Sequence, residues 1–137
     1  MIPLMAGIFI VAFFLNLLYE LLHSILYETC LKAPLKKYIY LILKGALFDG
    51  VAIAVIYFGT YVAFKSPNPF DNIYQIIVFG LISFIFAYMW EVYSLKKKKW
   101  AYASGMPMIL GVGVTPLLQL ALTGLLSIYI VFQFIYN

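Results

Sequence analysis

The chain has 137 residues, of which 66% are hydrophobic, 19% aromatic and only 10% charged. At a mean hydropathy of +1.03 there is too little polar surface to coat a globule in water. That excludes disorder, an ordinary soluble domain and a nucleic-acid-binding domain. Nine basic residues, all lysine, stand against five acidic ones for a net charge of +4. A soluble chain this basic would suggest nucleic acid, but these lysines cluster between apolar runs, so the composition predicts an all-α, polytopic integral membrane protein. The lone Cys30 forms no internal disulfide and says nothing about redox compartment.

A bilayer core about 30 Å thick needs roughly 20 apolar residues per helix, and four segments meet that length. The first runs from about Pro3 to Tyr27; it lacks the basic start of a cleaved signal and is longer than a signal's apolar core, so it is read as a span. Lys32, Ala33, Pro34, Lys36 and Lys37 form the first loop. The second span covers about Tyr38 to Ala63, closed by Lys65-Ser66-Pro67-Asn68-Pro69, where proline fits because it lacks an N–H donor. The third covers about Ile73 to Leu95, followed by Lys96 to Lys99. The fourth is placed from about Met106 to Tyr136, broken or tilted. Residues 1–137 thus read as a single four-span domain. Its short loops imply an antiparallel four-helix transmembrane bundle.

Lysine asymmetry sets the direction. Loops one and three hold seven lysines and loop two holds one, Lys65. The positive-inside bias then puts loops one and three in the cytoplasm and both termini outside, N-out and C-out. The plainest meaning of the Lys96–Lys99 run is this topology signal; an anionic-lipid or partner-docking patch is the alternative.

Ionisable groups within spans cost several kcal/mol unless paired, so each is a candidate for function. Asn16, Glu20, His23 and Tyr27 are spaced four, three and four apart, on one face of the first helix. The second carries Lys44 and Asp49, the third ends with Trp90 and Glu91, and the fourth repeats Thr115, Gln119, Thr123 and Ser127 every four residues. In the N-out orientation Glu20 and His23 fall in the inner half of the bilayer. Asp49 lies about 17 Å beyond Tyr38 at about 1.5 Å per residue, and Glu91 nears the inner surface. Four helices therefore bring polar groups to similar depth, which predicts one cavity opening to the cytoplasm. Glu20 and Asp49 are the expected catalytic groups; Asn16, His23, Glu91 and Gln119 are the expected substrate contacts.

Plainer readings compete. Glu20 with His23, or Asp49 with Lys44, would serve as a structural buried pair. Lys44 snorkels to the headgroups. The threonines and Ser127 bond their own helix backbone. Glu91 sits in the interface beside Trp90 and the lysines. Ala46, Gly50 and Ala54 make a small-residue face for close helix approach. Phenylalanine and tyrosine form interfacial belts or line an apolar pocket. Glu20-Leu21-Leu22-His23 has the Glu-x-x-His spacing of helical di-iron sites, but such sites need a second copy and the chain has one histidine. No metal is expected, no cofactor is named, and there is no nucleophile motif, phosphate loop or CxxC pair.

The stretch from Glu91 through Trp100-Ala101-Tyr102, Gly111 and Pro116-Leu117-Leu118-Gln119 resembles small membrane carotenoid cyclases of the lycopene cyclase type over under a third of the chain. Those proteins have a helix-end acid, a tryptophan loop, and a helix with carboxylates after its proline. Here those carboxylates are missing and Gln119 stands nearby. The resemblance implies proton-driven chemistry on an isoprenoid, with the acid drawn from Glu20, Asp49 or Glu91. Four helices with a carboxylate in the first also look similar to the small multidrug exporters, which work as dimers; the lysine asymmetry disfavours an antiparallel pair but not a parallel one.

The expected function is a membrane-embedded site for an apolar, lipid- or isoprenoid-like small molecule. The alternatives are a small ion-coupled transporter working as a parallel homo-oligomer, and an accessory or scaffold subunit of a larger membrane complex. The expected partners are the lipid bilayer and an apolar small molecule, with no nucleic acid, and the expected location is the plasma (inner) membrane of a prokaryote. A cysteine placed near Asn137 should be labelled by an impermeant thiol reagent from outside; labelling only from the cytoplasmic side would reverse the topology.

Overall fold

The structure, a computed structural model, describes residues 1–135. Helix α1 spans Ile2–His23 and runs on as a single 3-10 turn at Ser24–Leu26; a one-turn α2 covers Glu28–Leu31. The long α3 spans Leu35–Phe64, α4 spans Ile73–Lys96 and α5 spans Val114–Phe134. Helices α1, α3, α4 and α5 are long and apolar enough to cross a membrane.

Two boundaries follow local chemistry that the hydropathy pattern does not carry. Pro34 is extended and caps α3, so the helix starts at Leu35 and takes Lys36 and Lys37 into its first turn rather than a loop. Helix α1 tightens at Ser24–Leu26 and Tyr27 is extended, so Tyr27 lies outside the helix, just after Leu26. At the other end of the first crossing pair, α3 stops with Lys65 in the left-handed conformation.

The fourth span needs the larger correction. Residues 106–113 are not helical. Met108–Ile109 (β1) and Val112–Gly113 (β2) pair as an antiparallel hairpin. Leu110 and Gly111 take φ of 50° and 80°, the signs a tight two-residue hairpin turn demands. Pro107 and the two glycines oppose helix here. Helix α5 begins only at Val114, and Pro116 falls in its first turn, where a missing N–H leaves no bond unmade. Tyr136, the expected end of that span, lies outside the described residues, as does Asn137.

Packing divides each helix. On α1 Leu4, Ile8, Ala12 and Asn16, four apart, are buried together with His23, while Phe14, Leu18 and Leu22 are exposed. Such apolar outer faces suit a helix bathed in hydrocarbon. Helix α5 is the most enclosed span and packs on α1 and α4; α1 also packs along α3. Close approach is set by glycine. A Cβ on Gly50 would meet Phe9 Cε2 at 3.3 Å and the Phe13 backbone nitrogen at 3.4 Å, fixing the α1–α3 crossing. One on Gly124 would fall 2.7 Å from Phe79 Cζ, and Phe79 is fully buried.

Gly124→Ala should therefore destabilise the bundle by about 1–3 kcal/mol through overpacking. Gly59→Ala, with nothing within 4 Å of its Cβ, should be neutral or slightly stabilising. Thermal unfolding of both variants in the same detergent checks the pair.

Candidate functional site: a cavity between four helices

The polar residues of three helices meet at one amide. From the second turn of α5, Gln119 Nε2 donates to Asp49 Oδ2 at 2.8 Å, Glu20 Oε1 at 3.0 Å and Asn16 Oδ1 at 3.1 Å. Two hydrogens thus serve three acceptors on α1 and α3. Asn16 is anchored by its own amide donating to Ala12 O at 2.8 Å, and the Thr123 hydroxyl stands 3.1 Å from Asn16 Oδ1 and 2.7 Å from Gln119 O. His23 Nε2 lies 3.1 Å from the second Glu20 oxygen, and His23 Nδ1 lies 3.3 Å from the Thr115 hydroxyl. Tyr19 donates to Thr115 O at 2.7 Å, so α1 is tied to the start of α5 at two points.

Glycine makes room for the acid. A Cβ on Gly45 would come within 3.0 Å of Glu20 Oε1. Glycine lets α3 pass the carboxylate without displacing it; a Cβ here would press the end of the Glu20 side chain aside by a few tenths of an ångström.

Beside this cluster lies a cavity of about 490 Å³, within the usual range for small-molecule sites. Glu20, Asp49, Gln119 and Glu91 all line it. Its wall is aromatic: Phe48 on α3 stacks on Trp90 of α4 at 4.5 Å and on Phe86 at 6.1 Å between centroids. Lys44 and Lys99 reach the lining, but both are exposed and turn to rings. Lys99 Nζ sits 4.4 Å from the Trp90 centroid and 4.6 Å from that of Tyr93, and Lys44 Nζ sits 5.6 Å from that of Tyr40.

Glu91 is buried and is the clasp of a strap. Trp100 Nε1 donates to Glu91 Oε2 at 3.2 Å, and the Tyr102 hydroxyl donates to the same oxygen. The strap is pinned to the chain after α1: Ala101 N donates to Thr29 Oγ1 at 2.8 Å, Ala103 N to Leu26 O at 2.8 Å, and Tyr27 bridges Tyr102. Burial, and the bond donated to Glu91, push the Tyr102 hydroxyl above the ordinary tyrosine range. It therefore remains a donor at neutral and mildly alkaline pH. Burial and the nearby Glu91 charge also raise Tyr27.

Of the residues singled out in the sequence, Glu20, Asp49, Glu91 and Gln119 line the cavity. Asn16 and His23 do not; they stand behind Gln119 and Glu20 and hold them in place. Glu20 and His23 form the anticipated pair. Asp49 and Lys44 form no ion pair among the described residues. Ser127 bonds its own helix at Gly124 O, 2.8 Å away. Among the described residues no group of three or more His, Cys, Asp or Glu side chains is arranged to hold a metal. Sequence reasoning missed Gly45 and the roles of Trp100 and Tyr102. The Glu-to-Trp-to-Tyr order after the third span was visible, but its hydrogen bonds were not. Comparison with models of known protein families, with curated proteins and with solved structures finds no match.

Tyr102→Phe removes one of two donors from a buried carboxylate and should cost about 1.5–3 kcal/mol. It should also loosen residues 100–103, seen as faster limited proteolysis in the loop after α4. Unchanged stability and proteolysis would show that the Tyr102 bond to Glu91 does not hold the strap.

Proposed function

We propose that this is a small integral membrane protein whose cavity binds an apolar, lipid- or isoprenoid-like molecule with a polar end. The observation that carries the reading is that Glu20, Asp49 and Gln119, joined through one amide, together line an aromatic-walled cavity of about 490 Å³. Phe48, Phe86, Ala87, Trp90 and Leu120 supply an apolar lining for a ligand body, and the acids and amide supply the few polar contacts that orient it. Glu20 and Asp49 are the groups in position to exchange a proton with the ligand, since both line the cavity and both meet the Gln119 amide.

The antiparallel bundle belongs to the same proposal. Both termini face outside and the basic loops lie in the cytoplasm, as the lysine asymmetry supports. The plasma membrane of a prokaryote is the proposed location. The strap pinned by Glu91, beside Lys96 to Lys99, then covers the cytoplasmic end of the cavity.

Both tryptophans of the chain, Trp90 and Trp100, line the cavity, so their emission reports on it. In nanodiscs of phosphatidylcholine, ω-bromododecanol should quench that emission at low mole fraction. Ala87→Phe, which fills the lining, should weaken quenching about tenfold, a change of about 1.4 kcal/mol. Equal quenching of both proteins would mean that the bromine acts from bulk lipid and the cavity takes no apolar ligand.

A further inference from the structure

The charges around the cavity are unbalanced in one direction. Three carboxylates line it, Glu20, Asp49 and Glu91. Glu91 is satisfied by Trp100 and Tyr102, and Glu20 has Gln119 and His23. Asp49 receives the shared amide on Oδ2 and otherwise meets the Glu20 carboxyl, so its polar neighbours are one amide and a second acid, with no cation among the described residues. No lysine compensates these acids, since Lys44 and Lys99 turn to aromatic faces and the ion pairs among the described residues are Glu20–His23 and Glu28–Lys32. A carboxylate in an apolar environment without a cationic partner is costly, and a cation brought by a ligand removes that cost.

The wall is suited to the same charge. The Lys99 ammonium over Trp90 shows that an alkylammonium is accepted on the indole that lines the cavity. Phe48 and Phe86 continue that aromatic surface towards Asp49 on α3.

Resting on the binding reading above, we propose that the ligand is a protonated amine carried on an apolar chain. Its ammonium donates to Asp49 and Glu20 while its chain lies along Phe48, Phe86 and Trp90. An alcohol of the same length keeps the apolar contacts and a hydrogen bond but leaves the carboxylates without a cation. A carboxylate head adds like charge.

The test compares ω-bromododecylamine, ω-bromododecanol and ω-bromododecanoate as quenchers of the cavity tryptophans in phosphatidylcholine nanodiscs. Ala87→Phe measures the contribution of bulk lipid. The amine is expected to half-quench at about tenfold lower concentration than the alcohol, with the carboxylate weakest. Asp49→Asn should bring amine and alcohol together; Glu20→Gln serves in its place if the first variant does not fold, and should reduce the amine preference. Equal quenching by amine and alcohol, still lost in Ala87→Phe, overturns the amine assignment and leaves the binding reading intact. An amine preference that survives both acid substitutions overturns it too. Quenching by all three that is unchanged in Ala87→Phe overturns both.

Discussion

One side-chain amide holds this bundle in register. Gln119 of α5 reaches Asn16 and Glu20 on α1 and Asp49 on α3, so its position fixes three helices relative to one another. In water such bonds would contribute little net energy, because solvent competes for every partner. Within an apolar interior the alternative is an unsatisfied group. Its neighbours are arranged around it: Glu20 passes close to the bare Gly45, His23 turns to the other Glu20 oxygen, and Thr123 stands against Asn16. The cavity is the space left on the open side of this knot.

The strap after α4 is a second, separate device built on the opposite principle. There a buried acid draws two aromatic donors onto one oxygen, and backbone bonds to Leu26 and Thr29 fasten the loop to the chain leaving α1. The extended conformation at Tyr27 permits this, because a residue still inside a helix has no free edge to bridge Tyr102. The end of the helical turn at Leu26 and the fastening of the loop to Tyr27 are thus one event.

Much of this was legible in the sequence, for identifiable reasons. Lipid-facing length and composition leave little choice about four spans, and ionisable residues inside them are so unfavourable that Glu20, Asp49 and Glu91 could not be ignored. The Asn16–Glu20–His23 spacing placed those side chains on one face, and they share it. What could not be read was anything depending on a partner distant in the chain. Gly45 opposite Glu20, Trp100 and Tyr102 on Glu91, and the division between Glu20 and Gln119 at the cavity and His23 and Asn16 behind them all depend on helix rotation. Sequence periodicity fixes that rotation only relative to a helix's own axis. The misplaced start of α5 has a local cause. Met106, Met108, Ile109 and Leu110 are as hydrophobic as a span, and that run outweighed the helix-opposing Pro107, Gly111 and Gly113, which with the positive φ at Leu110 and Gly111 make the segment a hairpin.

The chain separation of the central knot has a consequence for biogenesis. Glu20 and Gln119 are 99 positions apart, and Asp49 and Gln119 are 70 apart. Synthesis proceeds from the N-terminus, so both acids are delivered with the early helices, well before the amide that joins them exists. A nascent chain holding only α1 and α3 carries its carboxylates without that partner. It must keep them hydrated, or lodged at the edge of the insertion machinery, until α5 arrives. The last helix is therefore the keystone of the polar knot: a ribosome stalled before Gln119 leaves α1, α3 and α4 in place with the two acids still lacking the amide that joins them.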